Sequence, residues 1–147
     1  MRSPTIEELD VITDGVAILD LLKRAYSVEA DLLGAAEFPP LKRTLADLRA
    51  TDAVFYGARR AEALAGVLEL EVSPEAEIAS LGVDPEHFRS GIGRQLVQHA
   101  MTVAEQRLSV HTGADNDPAL RLYESLGFRV VHEYRTIEGI RMVKLAC

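Results

Sequence analysis

The chain has 147 residues, of which 48% are hydrophobic and 27% charged, and it carries a formal net charge of -7. This length predicts a single domain over residues 1–147 that folds without disulfides or metals, and the lone Cys147 excludes a disulfide framework or a cysteine-rich zinc module. Acidic residues outnumber basic ones, 23 to 16, which argues against a nucleic-acid partner because phosphates attract clustered Lys and Arg. Because no apolar run has the length of a signal peptide or membrane span, we expect a soluble cytoplasmic protein that does not bind membranes.

The first half of the chain begins with a strand, after which apolar residues recur at helical spacing. This spacing predicts an amphipathic helix over residues 14–33 with Asp14 as its N-cap. The break at Phe38 and two prolines separates it from a short second helix at residues 44–50. Three predicted strands follow, at residues 53–56, 63–72 and 78–83.

The second half alternates between helix and strand. Gly91 and Gly93 open a helix, residues 108–111 form a strand, and the Asp117-Pro118 pair predicts the N-cap and first residue of another helix that stops at Gly127. A final hairpin is predicted from strands at residues 128–136 and 140–145. This order predicts an α/β fold with a mixed, mostly antiparallel central sheet of about six to seven strands and helices on both faces.

A glycine-containing loop lies between the strand at residues 78–83 and the helix that begins near Gly91. Main-chain N–H groups at such a helix start can hold an anion, and Gly91 and Gly93 let phosphate oxygens approach the backbone. Arg89 and Arg94 can add charge-assisted hydrogen bonds. A dinucleotide fingerprint is excluded because its third glycine is replaced by Leu96, and a P-loop is excluded because the chain has no Gly-Lys-Ser or Gly-Lys-Thr. A tight turn with close helix packing is the alternative reading of the glycines.

Two segments together resemble the GNAT superfamily of acyl-CoA-dependent N-acetyltransferases. Residues 83–93 are similar to its pyrophosphate loop, V-x-P-x(2)-[RQ]-x-x-G-x-[GA], with Phe88 in the place of the usual Arg or Gln, and residues 116–128 are similar to its N-x-x-A-x-x-L-Y-x-x-x-G-F segment. The resemblance implies acetyl-CoA as cofactor and CoA as product. It implies cofactor contacts at Leu81 and Val83 through their main chain, and at Phe88, Arg89, Ser90, Gly91, Ile92, Gly93, Arg94, Asn116, Ala119 and Tyr123.

The implied reaction is direct attack of a primary amine on the acetyl thioester. An alkyl amine with a pKa of about 10.4 is only about 0.04% neutral at pH 7, so a proton acceptor would help, and the departing thiolate needs a proton donor. Tyr123 matches the general-acid position of the family; the alternative is a half-buried packing role. Glu77 is the first candidate for the base. The alternatives are Glu69 or Glu71 on the preceding strand, a water relay, and His132 or Glu133.

The acceptor is expected between the first two helices and the final hairpin. Residues that could line this mouth are Tyr26, Glu29, Glu37, Phe38, Glu69 and Glu71. The acceptor could be a small-molecule amine or a protein or peptide amine, and because members of the family commonly dimerise through their last strands, a homodimer stays open. The histidines and carboxylates show no metal-ligand spacing, so we expect no metal site.

The charge is unevenly distributed along the chain. The net charge is -3 over residues 1–50, -6 over residues 51–88 and +2 over residues 89–147. The more basic part begins at the predicted phosphate loop, and the acidic part would suit a cationic amine. The competing hypothesis is a catalytically silent module that binds acyl-CoA as a sensor, whereas a flavin or NAD oxidoreductase is disfavoured by the broken fingerprint.

Overall fold

The computed structural model describes residues 5–147. Its strands are β1 (Thr5–Leu9), β2 (Val54–Arg60), β3 (Ala63–Glu71), β4 (Ala76–Val83), β5 (Leu108–Gly113), β6 (Arg129–Arg135) and β7 (Arg141–Ala146). Its helices are α1 (Val11–Leu33), α2 (Leu45–Ala50), α3 (Ile92–Ala104) and α4 (Asp117–Ser125), with short 3-10 turns at Pro39–Lys42 and Pro85–His87. Both the element order and the fold class predicted from sequence are confirmed.

The strands form one seven-stranded sheet in the order β1-β2-β3-β4-β5-β7-β6. Every neighbouring pair is antiparallel except β4 and β5, which run parallel. Parallel neighbours require a crossover connection, and α3 provides it. Consecutive side chains of a strand point to opposite faces, so β3 divides its apolar residues between two cores.

The two cores place α1 and α2 on one face of the sheet and α3 and α4 on the other. On the first face, Val67 packs with Leu22 of α1 and Leu48 of α2. On the second, Leu68 belongs to the core that contains Leu96 of α3. We call these the α1 face and the α3 face.

Three local predictions are corrected. Asp10, not Asp14, caps α1 and accepts a hydrogen bond from the Ile12 N–H at 2.8 Å, while Asp14 pairs with Arg59 at 3.1 Å. The cap of α4 is Asn116 rather than Asp117, because the Asn116 side chain accepts a hydrogen bond from the free Ala119 N–H, whereas Asp117 is already the first residue of the helix. Glu77 lies within β4 rather than just before it.

The parallel β4–β5 pairing is short, and this positions the site. It runs from Ala76–Leu108 to Ile78–Val110, and within the described residues no later pair joins these two strands. Beyond Ile78, β4 stays paired with β3 as far as Val83, and β5 stays paired with β7 as far as Gly113. We call the region beyond the Ile78–Val110 pair the β4–β5 split; there β4 offers main-chain groups to a ligand.

Candidate active site

The loop after β4 forms a pocket of backbone donors at the start of α3. Arg89 and Gly91 both have positive φ, 64° and 84°, and Gly91 is the N-cap of α3 without a side-chain capping bond. Ser90 donates its hydroxyl to the His87 carbonyl. The first N–H groups of a helix are free to bind an anion, and an added Cβ at Gly91 would have no protein atom within 4 Å. The space at Gly91 is therefore open to a ligand.

The remaining loop residues divide into exposed and packed positions. Phe88 is 46% exposed, and Arg89 is also exposed. Ile92 is 1% exposed and belongs to the α3-face core, so only its main chain can face a ligand. Arg94 donates to Ser125 Oγ at 2.9 Å, which ties α3 to α4.

The end of β4, α3 and α4 meet at Gly93. An added Cβ there would lie 3.4 Å from Leu122 Cδ2 of α4 and 3.6 Å from Val83 Cγ2 of β4. Leu81 and Val83 direct partly buried side chains into the α3-face core. Their main chain therefore remains the part of β4 that could bind the cofactor arm.

Helix α4 and its N-cap bring Asn116 and Tyr123 to the split. Asn116 Oδ1 accepts a hydrogen bond from the Ala119 N–H at 3.3 Å, which fixes the amide side chain. Tyr123 is 3% exposed and packs against Phe128, with ring centroids 5.4 Å apart. Burial, with the nearby charge of Glu29, raises the pKa of Tyr123 well above its usual value, so the phenol stays protonated and can act as a proton donor.

Glu29 of α1 is near enough for its charge to act on the Tyr123 phenol. Burial raises the pKa of the Glu29 carboxyl, and hydrogen bonds from the Asn116 side chain and the Gly113 N–H partly offset the shift. Because β5 is not paired with β4 at this position in the described structure, the Gly113 N–H is available to the carboxylate. Glu29, Asn116 and Tyr123 therefore share one polar group of residues at the split.

A buried ion pair lies on the α1 face next to these residues. Arg43 binds both carboxylate oxygens of Glu69, at 2.6 and 2.9 Å, and Ser80 Oγ donates to the same carboxylate at 2.7 Å. Burial raises the pKa of Tyr26 to about 12, and a hydrogen bond with Ser80 acts in the opposite direction. Phe38 is buried edge-on against Tyr26, with centroids 6.1 Å apart.

A second polar chain crosses from β4 to the final hairpin. His111 Nε2 lies 3.2 Å from Glu77 Oε1, and His111 Nδ1 lies 2.7 Å from the Tyr134 hydroxyl. All three side chains are partly accessible, with Glu77 and His111 about one third exposed. Glu77, predicted as the base, is therefore bound to an imidazole.

The structure groups four of the six residues predicted to line the acceptor mouth. Tyr26, Glu29, Phe38 and Glu69 are grouped with Tyr123 and Asn116 through the contacts described above. Two predicted residues lie apart from that group: Glu37 is exposed in the connection after α1, and Glu71 pairs with Glu77 at the far end of β3.

Sequence reasoning did not single out four residues of these clusters. They are Arg43, Ser80, His111 and Tyr134. Ser80 lies opposite Glu69 because β4 has one extra residue, Ala79, that interrupts its pairing with β3. This register is not visible in the sequence, so strand alternation alone could not place the two side chains on one face. The position of a histidine in the otherwise apolar strand predicted at residues 108–111 was the one signal available for His111.

Within residues 5–147, no helix has the length and apolarity needed to cross a membrane. In the same part of the chain, no three His, Cys, Asp or Glu side chains are grouped to hold a metal ion.

Comparison with known proteins identifies the class to which this fold and site belong. A sequence model of the acetyltransferase (GNAT) family matches residues 16–128. The chain belongs to the GNAT family of acetyltransferases.

The chain is similar to several particular proteins. The chain is 32% identical over 119 residues to the UPF0157 protein YqkA of Bacillus subtilis, covering 79% of this chain but only 35% of YqkA. It is 33% identical over 133 residues to the N-alpha-acetyltransferase RimI of Mycobacterium tuberculosis, covering 84% and 82% of the two chains. The crystal structure of the ribosomal-protein-S18-alanine N-acetyltransferase from Escherichia coli is similar with a TM-score of 0.76 and 25% identity, over 97% of this chain and 91% of that one.

Proposed function

We propose that the protein transfers an acetyl group from acetyl-CoA to a primary amine, with Tyr123 as general acid. The amine nitrogen attacks the thioester carbonyl carbon, the carbon–sulfur bond breaks, and the CoA thiolate takes the Tyr123 proton. The proton that the nitrogen loses on becoming an amide then restores the Tyr123 phenol. The observation that carries the proposal is the meeting of the β4–β5 split, the Gly91 helix start and Tyr123 at one place. Membership of the GNAT family supports acetyl-CoA as the donor.

The cofactor has two groups of contacts under this proposal. Its pyrophosphate would accept hydrogen bonds from the main chain around Gly91, where the helix dipole favours an anion, with Arg89 at the exposed edge. Its pantetheine arm would pair with the main chain of Leu81 and Val83. Ala119 and Asn116 at the start of α4 would lie beside the reactive end.

The acceptor is proposed to be a cationic amine. It would enter between α1 and the β6–β7 hairpin, past Tyr26 and Glu29, where residues 1–88 supply the acidic excess. The names of two relatives refer to an N-alpha-acetyltransferase and to an alanine of ribosomal protein S18. A peptide α-amine is therefore one of the acceptor classes to test, beside small amines.

An amine panel assayed by CoA release tests the activity. The panel contains a polyamine, an aminoglycoside, amino acids, a small xenobiotic amine and a peptide with N-terminal alanine, and mass spectrometry identifies the acetylated product. We expect thiol release above the hydrolysis background with at least one cationic amine. If the protein binds acetyl-CoA but releases no CoA with any amine, it is the sensor module instead. If it prefers an anionic amine, the proposal that its acidic residues attract a cationic acceptor is wrong.

Replacing Gly91 by valine is expected to weaken acetyl-CoA binding by about 100-fold. A β-branched residue is strained at φ 84°, and its methyl groups would occupy the space that we assign to the pyrophosphate. Isothermal titration calorimetry measures the affinity.

Gly139 supplies a matched control for this variant. It lies in the β6–β7 turn at φ 85°, and an added Cβ there also has no protein atom within 4 Å. Gly139→Val should therefore carry a similar backbone strain of about 1–2 kcal/mol but bind acetyl-CoA normally. Equal affinities of the two variants would remove the phosphate-binding role of Gly91.

A further inference from the structure

We propose that His111 accepts the proton of the attacking amine, through the Tyr134 hydroxyl, and that Glu77 is the positioning residue that holds the imidazole. This inference deepens the proposed acetyl transfer and rests on it. It reassigns the role of Glu77, which the sequence alone indicated as the base.

Three strands bring this chain of side chains together. Glu77 of β4 and His111 of β5 are 34 positions apart in sequence but lie beside each other because β4 and β5 run parallel, with Glu77 paired to Ser109. Tyr134 reaches His111 from β6, and the rings are 5.5 Å apart, edge to face. Each bond of the chain is short enough to carry a proton, at 3.2 Å and 2.7 Å.

The hydrogen-bond partners assign the tautomer of His111. An ionised Glu77 carboxylate can only accept a hydrogen bond, so the neutral imidazole carries its proton on Nε2. Nδ1 is then the acceptor, and the Tyr134 hydroxyl donates to it. This arrangement leaves the lone pairs of the Tyr134 oxygen available to a donor from outside the protein.

The proposed step moves one proton and conserves charge. The substrate ammonium gives a proton to the Tyr134 oxygen as the Tyr134 proton passes to His111 Nδ1. The products are a neutral amine, an unchanged phenol and an imidazolium that is paired with the Glu77 carboxylate. Burial and the neighbouring charge of Glu77 raise the pKa of Tyr134. The Tyr134 hydroxyl is therefore a neutral phenol both before and after the proton passes through it.

The Glu77–His111–Tyr134 relay lies where the β4–β5 split begins. His111 directly follows Val110, the last β5 residue paired with β4. Tyr134 and Gly113 are both paired with Met142 of β7, and residues opposite each other in antiparallel strands share a face. The Gly113 N–H binds Glu29, so the relay and the Glu29–Tyr123 group lie on adjoining parts of the same site.

The other carboxylates of this site are already bound. Glu69 holds both of its oxygens against Arg43, and one also accepts from Ser80. Glu29 accepts hydrogen bonds from Asn116 and Gly113. The oxygens of both carboxylates are thus already engaged by protein donors, whereas the His111 relay ends at a hydroxyl with a free lone pair.

The test is the pH dependence of kcat/KM for His111→Gln. A histidine base should give the wild-type profile a fall in rate on the acid side, called here the acid limb, because a protonated imidazole cannot accept a proton. We expect kcat to fall by about 100-fold, the acid limb to disappear, and the affinity for acetyl-CoA to stay unchanged. The ionisable groups facing His111 are Glu77 from β4, Lys144 from β7, and His132 and Tyr134 from β6.

Further variants separate a relay from a merely structural hydrogen bond. Glu77→Gln should shift the acid limb to lower pH, because the imidazolium of His111 loses its counter-charge. Tyr134→Phe should lower kcat by about 10- to 100-fold and leave the affinity for acetyl-CoA unchanged. His99→Gln is the matched control, since His99 packs against Tyr56 away from the site, and it should keep the wild-type rate and profile.

The outcomes distinguish this inference from the proposed function. If wild-type protein acetylates an amine and His111→Gln keeps both its kcat and its acid limb, the relay is wrong and acetyl transfer stands. Loss of the limb in His132→Gln instead of His111→Gln also overturns it. If the wild type releases no CoA with any amine of the panel, the proposed function fails and the relay fails with it.

Discussion

Tyr123→Phe is expected to lower kcat for amine acetylation by about 100- to 1,000-fold while acetyl-CoA binds with nearly unchanged affinity. The substitution removes only the hydroxyl that would protonate the departing thiolate, and general acid catalysis typically contributes a factor of this size. The ring packing on Phe128 is retained, so the fold should be preserved. Steady-state kinetics with the best amine of the panel, together with calorimetric titration of acetyl-CoA, measure the two quantities.

Tyr56 provides a matched control for this change. Like Tyr123 it is a buried tyrosine, at 8% exposure, whose pKa is raised by burial, but it packs against His99 of α3. Tyr56→Phe should leave kcat unchanged. If Tyr123→Phe also kept the wild-type kcat, the hydroxyl would have only a packing role.

Arg43→Met is expected to lower the free energy of unfolding by about 3–5 kcal/mol. The Glu69 side chain is 2% exposed, and without the guanidinium its charge would keep only the Ser80 hydrogen bond. Leaving one partner of a buried ion pair uncompensated has a cost of this size. Since domains are commonly stable by only about 5–15 kcal/mol, urea titration at 25 °C should show a large shift of the unfolding midpoint.

A second ion pair of equal length gives the comparison. Arg24 binds Asp84 at 2.6 Å, and the side chains are 44% and 11% exposed respectively. Because water reaches the Arg24 side of the pair and Asp84 keeps a hydrogen bond from the Glu86 N–H, Arg24→Met should cost clearly less than Arg43→Met. The double variant Arg43→Met/Glu69→Met should recover most of the stability lost in Arg43→Met. Equal losses at Arg24 and Arg43 would show that burial of Glu69 is not the cause.

Much of the fold was predictable because its determinants are local. Helical spacing of apolar residues located α1 and α3, and turn residues such as Gly127 marked where a helix must end. The errors at the helix starts, Asp14 for Asp10 and Asp117 for Asn116, arose where two polar residues no more than four positions apart can each cap a helix and only the backbone conformation selects one.

The sequence by itself determined the order of the elements, the Gly91 loop and the placement of Tyr123 on its helix. Each depends on residues close together in the chain, where backbone preferences and periodicity decide. Only the tertiary structure decided which distant side chains meet. The Arg43–Glu69 pair joins residues 26 positions apart, and the Glu77–His111–Tyr134 chain requires the parallel β4–β5 pairing. Such partners depend on strand order and register, which arise from packing of the whole sheet rather than from any local pattern.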